Sequence, residues 1–125
     1  MARLQWRDEY SVGDAQLDAQ HKVLIDLINM LEDESAVGAV LKALQRYVDE
    51  HFREEERRME AAGYPDLAAH IEQHKAFEEW LASASRVQRD GEVALLLRDS
   101  IRGYLNTWLV NHIMVSDKAY SPFLK

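Results

Sequence analysis

The chain has 125 residues, 47% of them hydrophobic and 30% charged, which is typical of one globular domain with a hydrophobic core. We therefore predict a single domain over residues 1–125. The net charge of −7 argues against a nucleic-acid partner, because phosphates attract basic surfaces. The absence of cysteine excludes disulfides and thiolate ligands.

The N-terminus has no apolar segment of signal-peptide length, and no stretch approaches the ~20 apolar residues of a membrane span, so we expect a cytoplasmic protein.

The predicted elements begin with an N-terminal arm, residues 1–16, that lacks a helical pattern. Apolar residues then recur at helical spacing over 17–31, and this first pattern fades before Ser35, which could cap the next helix. The second pattern covers 37–62 and ends at 63–65, where a glycine and a proline stop the helix.

Two further helical patterns follow. The third covers 67–81 and decays toward a turn at Asp90-Gly91, and the fourth covers 94–115, ahead of a short tail, residues 117–125. Helices joined by short loops pack beside their sequence neighbours. We therefore predict an all-α fold, an up-down-up-down antiparallel four-helix bundle with an extended N-terminal arm.

All five histidines and one carboxylate occupy positions on the apolar stripes of these helices. They are His21 in the first helix, His51 and Glu55 in the second, His70 and His74 in the third, and His112 in the fourth. Burying one unpaired polar group costs roughly 1–3 kcal/mol, so this set would cancel the ~5–15 kcal/mol stability of a small domain. Bound metal would compensate, and imidazole with carboxylate suits iron, zinc, copper or manganese.

The carboxylate on the second helix is assigned by its register. Glu55 lies at i+4 from His51 and in phase with the apolar stripe, which favours it over Glu54 and Glu56. Glu54 also lies within the i+3 reach of the same histidine, so the second helix offers two candidates from spacing alone.

A second carboxylate, Asp117, would join the set only if the fourth helix is irregular. It lies five residues after His112, and a regular helix would rotate it away from the stripe. We therefore predict that this helix ends or distorts between Ile113 and Ser116. Seven ligands exceed the need of one ion, so we predict two ions bridged by Glu55 and Asp117.

The neighbours of these residues have simpler expected roles. The charged residues that surround Glu55 should form a solvated face with i,i+3 and i,i+4 pairs: Arg53, Glu54, Glu56, Arg57 and Arg58. We expect Glu78, at i+4 from His74, at the rim rather than bonded to a ligand. Apolar residues near the histidines should pack in the core, and they could also line a pocket over one metal: Leu24, Phe52, Trp108, Leu109 and Ile113.

Together these segments resemble the hemerythrin family, in particular its single-domain bacterial form, the bacteriohemerythrins. The resemblance spans residues 6 to about 120, in the order and spacing of the family. The segments that carry it are 18–21, 51–55, Met59 with 63–65, 70–74 with Phe77, and 108–118.

The resemblance implies a diiron centre with an oxo or hydroxo bridge. His70, His74 and His112 would bind one iron, His21 and His51 the other, and Glu55 and Asp117 would bridge both. Dioxygen would bind end-on, as hydroperoxide, at the open position of the two-histidine iron. The apolar residues that match the family's oxygen pocket are Leu24, Phe52, Trp108, Leu109 and Ile113, and Tyr120 stands where the family often has tyrosine.

The implied function is reversible dioxygen binding, as a carrier, store or scavenger, by a monomer that is not an enzyme. An oxygen-using enzyme, in the membrane or in solution, would be its partner. Three alternatives stay open. The first is a diiron peroxidase or nitric-oxide-handling enzyme, which the small number of carboxylates disfavours. The second is an oxygen or redox sensor that acts on a separate partner, and the third is a zinc-only structural site, which would need only four ligands.

Overall fold

Four long helices dominate the computed structural model, which describes residues 4–32, 37–89 and 95–124. They are α1 (Ala15–Asn29), α2 (Val37–Ala61), α3 (Leu67–Arg89) and α4 (Leu95–Asn111), and the described residues contain no strand. Helix α2 packs against α1 and α3, and α1 packs against α4. The predicted all-α four-helix bundle is confirmed. The predicted cap at Ser35 and the turn at Asp90-Gly91 lie outside the described residues.

The N-terminal arm is shorter than predicted because α1 begins at Ala15. The carboxylate of Asp14 accepts a hydrogen bond of 3.0 Å from the backbone N–H of Leu17, which caps the helix. Arg58, near the end of α2, pairs with the same Asp14 carboxylate and bonds to the Gln16 side chain. These contacts tie the arm to the end of α2.

The turn after α2 lies where the sequence predicts it. Gly63 has a φ of +70°, a left-handed conformation that glycine adopts without steric cost. The backbone N–H of Tyr64 then donates to the carbonyl of Met59 at 3.0 Å, which closes the end of the helix.

The C-terminal end of the bundle is helical throughout its described length. After α4 the chain forms a π-helical segment, His112–Asp117, followed by a single α-helical turn, Lys118–Tyr120, and a 3₁₀ turn, Ser121–Leu124. The residues predicted as a tail therefore continue the fourth helix, and only the last of them, Ser121–Leu124, form a tighter turn. No helix among the described residues is long and apolar enough to cross a membrane.

The core of the described residues consists of two hydrophobic clusters. The larger has 17 buried members and includes Leu24, Val48 and Phe77. The smaller consists of Val12, Leu17, Met59, Tyr64 and Tyr120. Along α1 and α2 the polar residues His21, His51 and Glu55 fall between members of one cluster and members of the other. A buried polar layer therefore separates the two clusters.

Candidate metal centre

The buried polar layer contains all seven residues that the sequence singles out as ligands. None of the seven is more than 6% exposed. Their ligand atoms form two groups, within each of which all atoms lie within 4.8 Å of one another. One group is Glu55, His70, His74, His112 and Asp117, and the other is His21, His51 and Glu55. The first side has three histidines and the second has two.

The two oxygens of Glu55 face different groups of histidines. Oε1 lies 3.1 Å from Nε2 of His74 and 3.4 Å from Nε2 of His70. Oε2 lies 3.3 Å from the Nε2 atoms of both His21 and His51. A carboxylate that bridges two cations needs one oxygen on each side, and Glu55 has this arrangement.

Asp117 divides its oxygens in the same way. Oδ1 lies 3.1 Å from Nε2 of His112 and 3.2 Å from Nε2 of His70. Oδ2 lies 3.2 Å from Nε2 of His21. Asp117 reaches this position because the chain is π-helical from His112 to Asp117, and i→i+5 bonding places residues five apart on one side. The predicted distortion of the fourth helix is confirmed.

Two histidines are oriented by hydrogen bonds from the far side of the imidazole. Nδ1 of His51 lies 2.7 Å from Oε1 of Gln20, and Nδ1 of His74 lies 2.7 Å from Oε2 of Glu56. Amide and carboxylate oxygens only accept, so both Nδ1 atoms carry the proton. The Nε2 lone pairs then point into the polar layer, which is the orientation that a metal ligand requires.

The layer is poorly satisfied by protein hydrogen bonds alone. Oε1 of Glu55, both oxygens of Asp117 and Nε2 of His70 are buried without a hydrogen-bond partner in the described part of the chain, despite their close approaches. Nε2 of His74 also lies only 3.2 Å from Nε2 of His112. Buried polar atoms are nearly always satisfied, so these residues fit a centre in which cations supply the missing partners.

The pKa shifts within the metal-free polar layer also indicate that the layer needs positive charge. Burial alone would lower the pKa of His21, but the close approach and negative charge of Asp117 and Glu55 raise it to about 10. The same balance raises the pKa of His70 to about 9. Burial alone would raise the pKa of Glu55, but the surrounding histidines, with the charge of His51 foremost, hold it well below its usual value.

The pKa of Asp117 is lowered as well, because the charge and close approach of His112, together with the approach of His21, outweigh burial and the repulsion of Glu55. Tyr120, fully buried, donates a 2.8 Å hydrogen bond from its hydroxyl to Oε2 of Glu55. Burial, with the nearby carboxylates, raises the pKa of Tyr120 far above its usual value, so the hydroxyl stays a donor. The phenol therefore helps to fix the orientation of Glu55.

The expected solvated face on α2 is partly wrong. Glu54 makes the predicted pairs, at 2.6 Å with Arg57 and 3.2 Å with Arg58. Glu56 also makes its predicted i,i+3 pair, with Arg53 at 3.0 Å, but it is only 15% exposed and is bonded to His74 as well. It lies one residue beyond Glu55 and so faces α3, where apolar periodicity carries no signal. Apolar periodicity likewise gave no signal for Gln20, whose contact with His51 the sequence analysis therefore did not predict.

Glu78 lies at the rim, as predicted, and pairs with Arg53 at 2.8 Å rather than with a histidine. The apolar residues predicted near the histidines surround an interior cavity without polar lining, with free volume of about 10 Å³. This volume is at the lower limit of what can hold a single water molecule. Its lining includes Leu24, Phe52, Trp108 and Leu109, together with Ile28, Leu44, Val48, Phe77 and Leu105. Ile113 is buried in the same cluster but is not part of this lining.

A helical bundle with a buried histidine–carboxylate centre fit for two cations defines a class of non-haem metalloproteins. The family model described as "Hemerythrin HHE cation binding domain" matches residues 12–124. The chain belongs to the hemerythrin family.

Individual relatives agree with this assignment. The chain is 36% identical to a bacteriohemerythrin of Stenotrophomonas maltophilia, over 100% of this chain and 84% of the relative. It is 37% identical to a bacteriohemerythrin of Methylococcus capsulatus, over 99% and 98%. A crystal structure of wild-type hemerythrin superposes with a TM-score of 0.88 at 35% identity, covering 98% of both chains.

Proposed function

We propose that the chain binds dioxygen reversibly at a pair of iron ions held by the seven residues of the polar layer. The observation that carries the proposal is the asymmetry of the layer, which has three histidines on one side and two on the other. A pair of iron ions with one coordination position left free can supply two electrons to dioxygen and recover them when it leaves.

The residues on the two sides have different tasks in this proposal. Three imidazoles and the two shared carboxylates give the first side, that of His70, a full ligand set. The second side has only His21 and His51 besides Glu55 and the Asp117 oxygen 3.2 Å from His21, and this leaves room for a ligand from outside. Binding sites of this kind differ from structural metal sites, whose ligand sets are closed.

Apolar packing should protect the centre from water. Phe52 stacks on the ring of His74 at 3.7 Å between centroids, and Trp108 stacks on His112 at 4.5 Å. The cavity next to these rings is lined by apolar side chains only, so it would disfavour water and anions relative to a small apolar molecule. Tyr120 would keep Glu55 in its bridging orientation through the hydrogen bond to Oε2.

We propose binding rather than enzymatic turnover because the donor set is rich in imidazole. Five neutral histidines and two carboxylates place less negative charge at the centre than the carboxylate-rich sites of diiron oxygenases. The carboxylates that flank the layer on α2 do not add to it: Glu54 faces Arg57 and Arg58, and Glu56 holds the outer nitrogen of His74.

The test combines metal analysis with spectroscopy. We expect about two irons per chain and an absorption band that appears in air, disappears on removal of oxygen under reducing conditions, and returns over several cycles. His51→Gln should keep metal on the three-histidine side and lose the oxygen-dependent band. Glu54→Gln, a change on the same helix outside the layer, should behave like the unmodified protein.

Two outcomes would contradict the proposal. Failure of the reduced, iron-loaded protein to show a reversible band would exclude dioxygen binding. Continuous consumption of oxygen, peroxide or nitric oxide beyond one equivalent per centre would instead indicate an enzyme.

A further inference from the structure

The two histidines with defined outer partners differ in the charge of those partners. His51 donates from Nδ1 to the neutral amide oxygen of Gln20, and His74 donates from Nδ1 to the carboxylate of Glu56, each over 2.7 Å. The first histidine belongs to the two-histidine side and the second to the three-histidine side. The two hydrogen bonds are equally long, so they differ in the charge of the group that accepts them.

Glu56 is held in place by a chain of charged groups that reaches the surface. Nη2 of Arg53 donates to Oε2 of Glu56 at 3.1 Å, and its Nε lies 3.0 Å from Oε1. The same Nη2 donates to Glu78 of α3 at 2.8 Å. Arg53 is 40% exposed and Glu78 is 28% exposed, whereas Glu56 is only 15% exposed. The carboxylate next to His74 is therefore clamped from the solvent side.

The ring of His74 is fixed from a second direction as well. Phe52 lies parallel to it, with an angle of 4° between the planes. The side chains of His74 and Phe52 are both buried, so the stack is shielded from water. Orientation and electron donation of this imidazole are thus both set by protein contacts.

We propose that Glu56 is a positioning residue that makes the three-histidine side the stronger cation site, while the neutral Gln20 leaves the two-histidine side weaker. A carboxylate that accepts from Nδ1 draws that proton toward itself and increases the basicity of Nε2, which an amide oxygen does less. The inference rests on the proposed metal centre. The two sites already differ in their number of histidines, and the charge of the outer partner adds a second difference in the same direction.

The experiment is a titration of the metal-free protein with Co²⁺, followed by the ring resonances of the histidines in NMR spectra. In the unmodified protein we expect two equivalents to bind, the first perturbing His70, His74 and His112, and the second perturbing His21 and His51. Glu56→Gln should weaken the first step by about 10–100-fold and leave the second nearly unchanged, as loss of such outer partners typically does.

Two further variants separate this role from a general effect on folding. Gln20→Glu should strengthen the second step, an effect that damage to the fold would not produce. Glu54→Gln removes the same charge from α2, but Glu54 bonds only to Arg57 and Arg58 in the described structure. It should leave both steps unchanged.

The results distinguish this inference from the proposed function. If the unmodified protein binds two ions but Glu56→Gln keeps the same first affinity, the role of Glu56 is wrong and the metal centre stands. Equal weakening of both steps, together with a lower unfolding temperature, would make Glu56 a structural residue only. If the unmodified protein binds no second ion, both proposals fail.

Discussion

At the scale of single residues, the hydrogen bond from Tyr120 to Glu55 is the clearest support given to a predicted ligand by a residue outside the ligand set. Both groups are fully buried, and the hydroxyl donates to a carboxylate at 2.8 Å. Tyr120→Phe should lower the free energy of unfolding of the metal-free protein by about 1–3 kcal/mol, because a buried carboxylate oxygen loses a donor. Urea denaturation measures this change.

The matched control is Tyr104→Phe, since Tyr104 is 42% exposed. This control should change stability by less than about 0.5 kcal/mol. Equal effects of the two substitutions would show that the hydroxyl of Tyr120 does not support Glu55.

The pKa shifts of the layer predict an unusual pH dependence for the metal-free protein. The pKa values of His21 and His70 are raised from 6.5 to about 10 and about 9, so their contribution to stability is complete below pH 6.5. It is lost as the pH rises through 9 and 10. The pKa values of Glu55 and Asp117 are lowered, so their contribution is complete above about pH 4.5 and is lost in acid.

Denaturation of the metal-free protein at a series of pH values should therefore show maximal stability between about pH 4.5 and 6.5, with a decline toward pH 10. Metal-loaded protein should lack the alkaline decline, because bound cations replace the protons. A metal-free protein whose stability is constant between pH 6.5 and 10 would contradict the shifts assigned to His21 and His70.

At the scale of elements, the π-helical segment brings Asp117 to the centre. It lies five positions after His112, whereas residues four positions apart share a face in a regular α-helix. Deleting Val115, which is 69% exposed, should let the segment close into a regular helix with the aspartate four residues beyond the histidine. We expect this deletion to retain binding of two cations.

The control is deletion of Lys75, whose side chain is 62% exposed, in the regular helix α3. This deletion rotates Phe77 and Leu81 out of the core and should abolish both cooperative unfolding and metal binding. Metal titration and circular dichroism measure the two effects. If deletion of Val115 abolishes metal binding while the helical content persists, the π geometry itself is required.

The sequence predicted the helices and the buried positions of the histidines because both follow from the periodicity of the apolar residues. His70 and His74 are four residues apart and lie on the same apolar stripe, so a regular helix suffices to place them. Asp117 could be placed only by assuming an irregularity, and its exact form depends on the packing of the fourth helix. Glu56 and Gln20 could not be found from apolar periodicity, because each faces a ligand from beside the stripe.

At the scale of the whole molecule, the buried polar layer lies between a large hydrophobic cluster and a small one. The described core has 17 buried residues in the larger cluster and five in the smaller, which includes Val12 and Tyr120. Stabilisation by apolar burial scales with buried area, so the smaller cluster contributes much less to holding its end of the bundle together. That end depends more on contacts through the layer, including the hydrogen bond of Tyr120 to Glu55.

Removal of metal should therefore loosen the molecule unevenly. We expect hydrogen exchange to accelerate first in residues 117–124 and 12–18, which contain members of the smaller cluster, while 40–52 and 77–85, in the larger cluster, stay protected. Exchange measured by mass spectrometry on metal-loaded and metal-free protein tests this directly. A uniform increase along the chain would mean that the two clusters unfold as one unit, and that the layer stabilises the bundle as a whole rather than fastening one end to it.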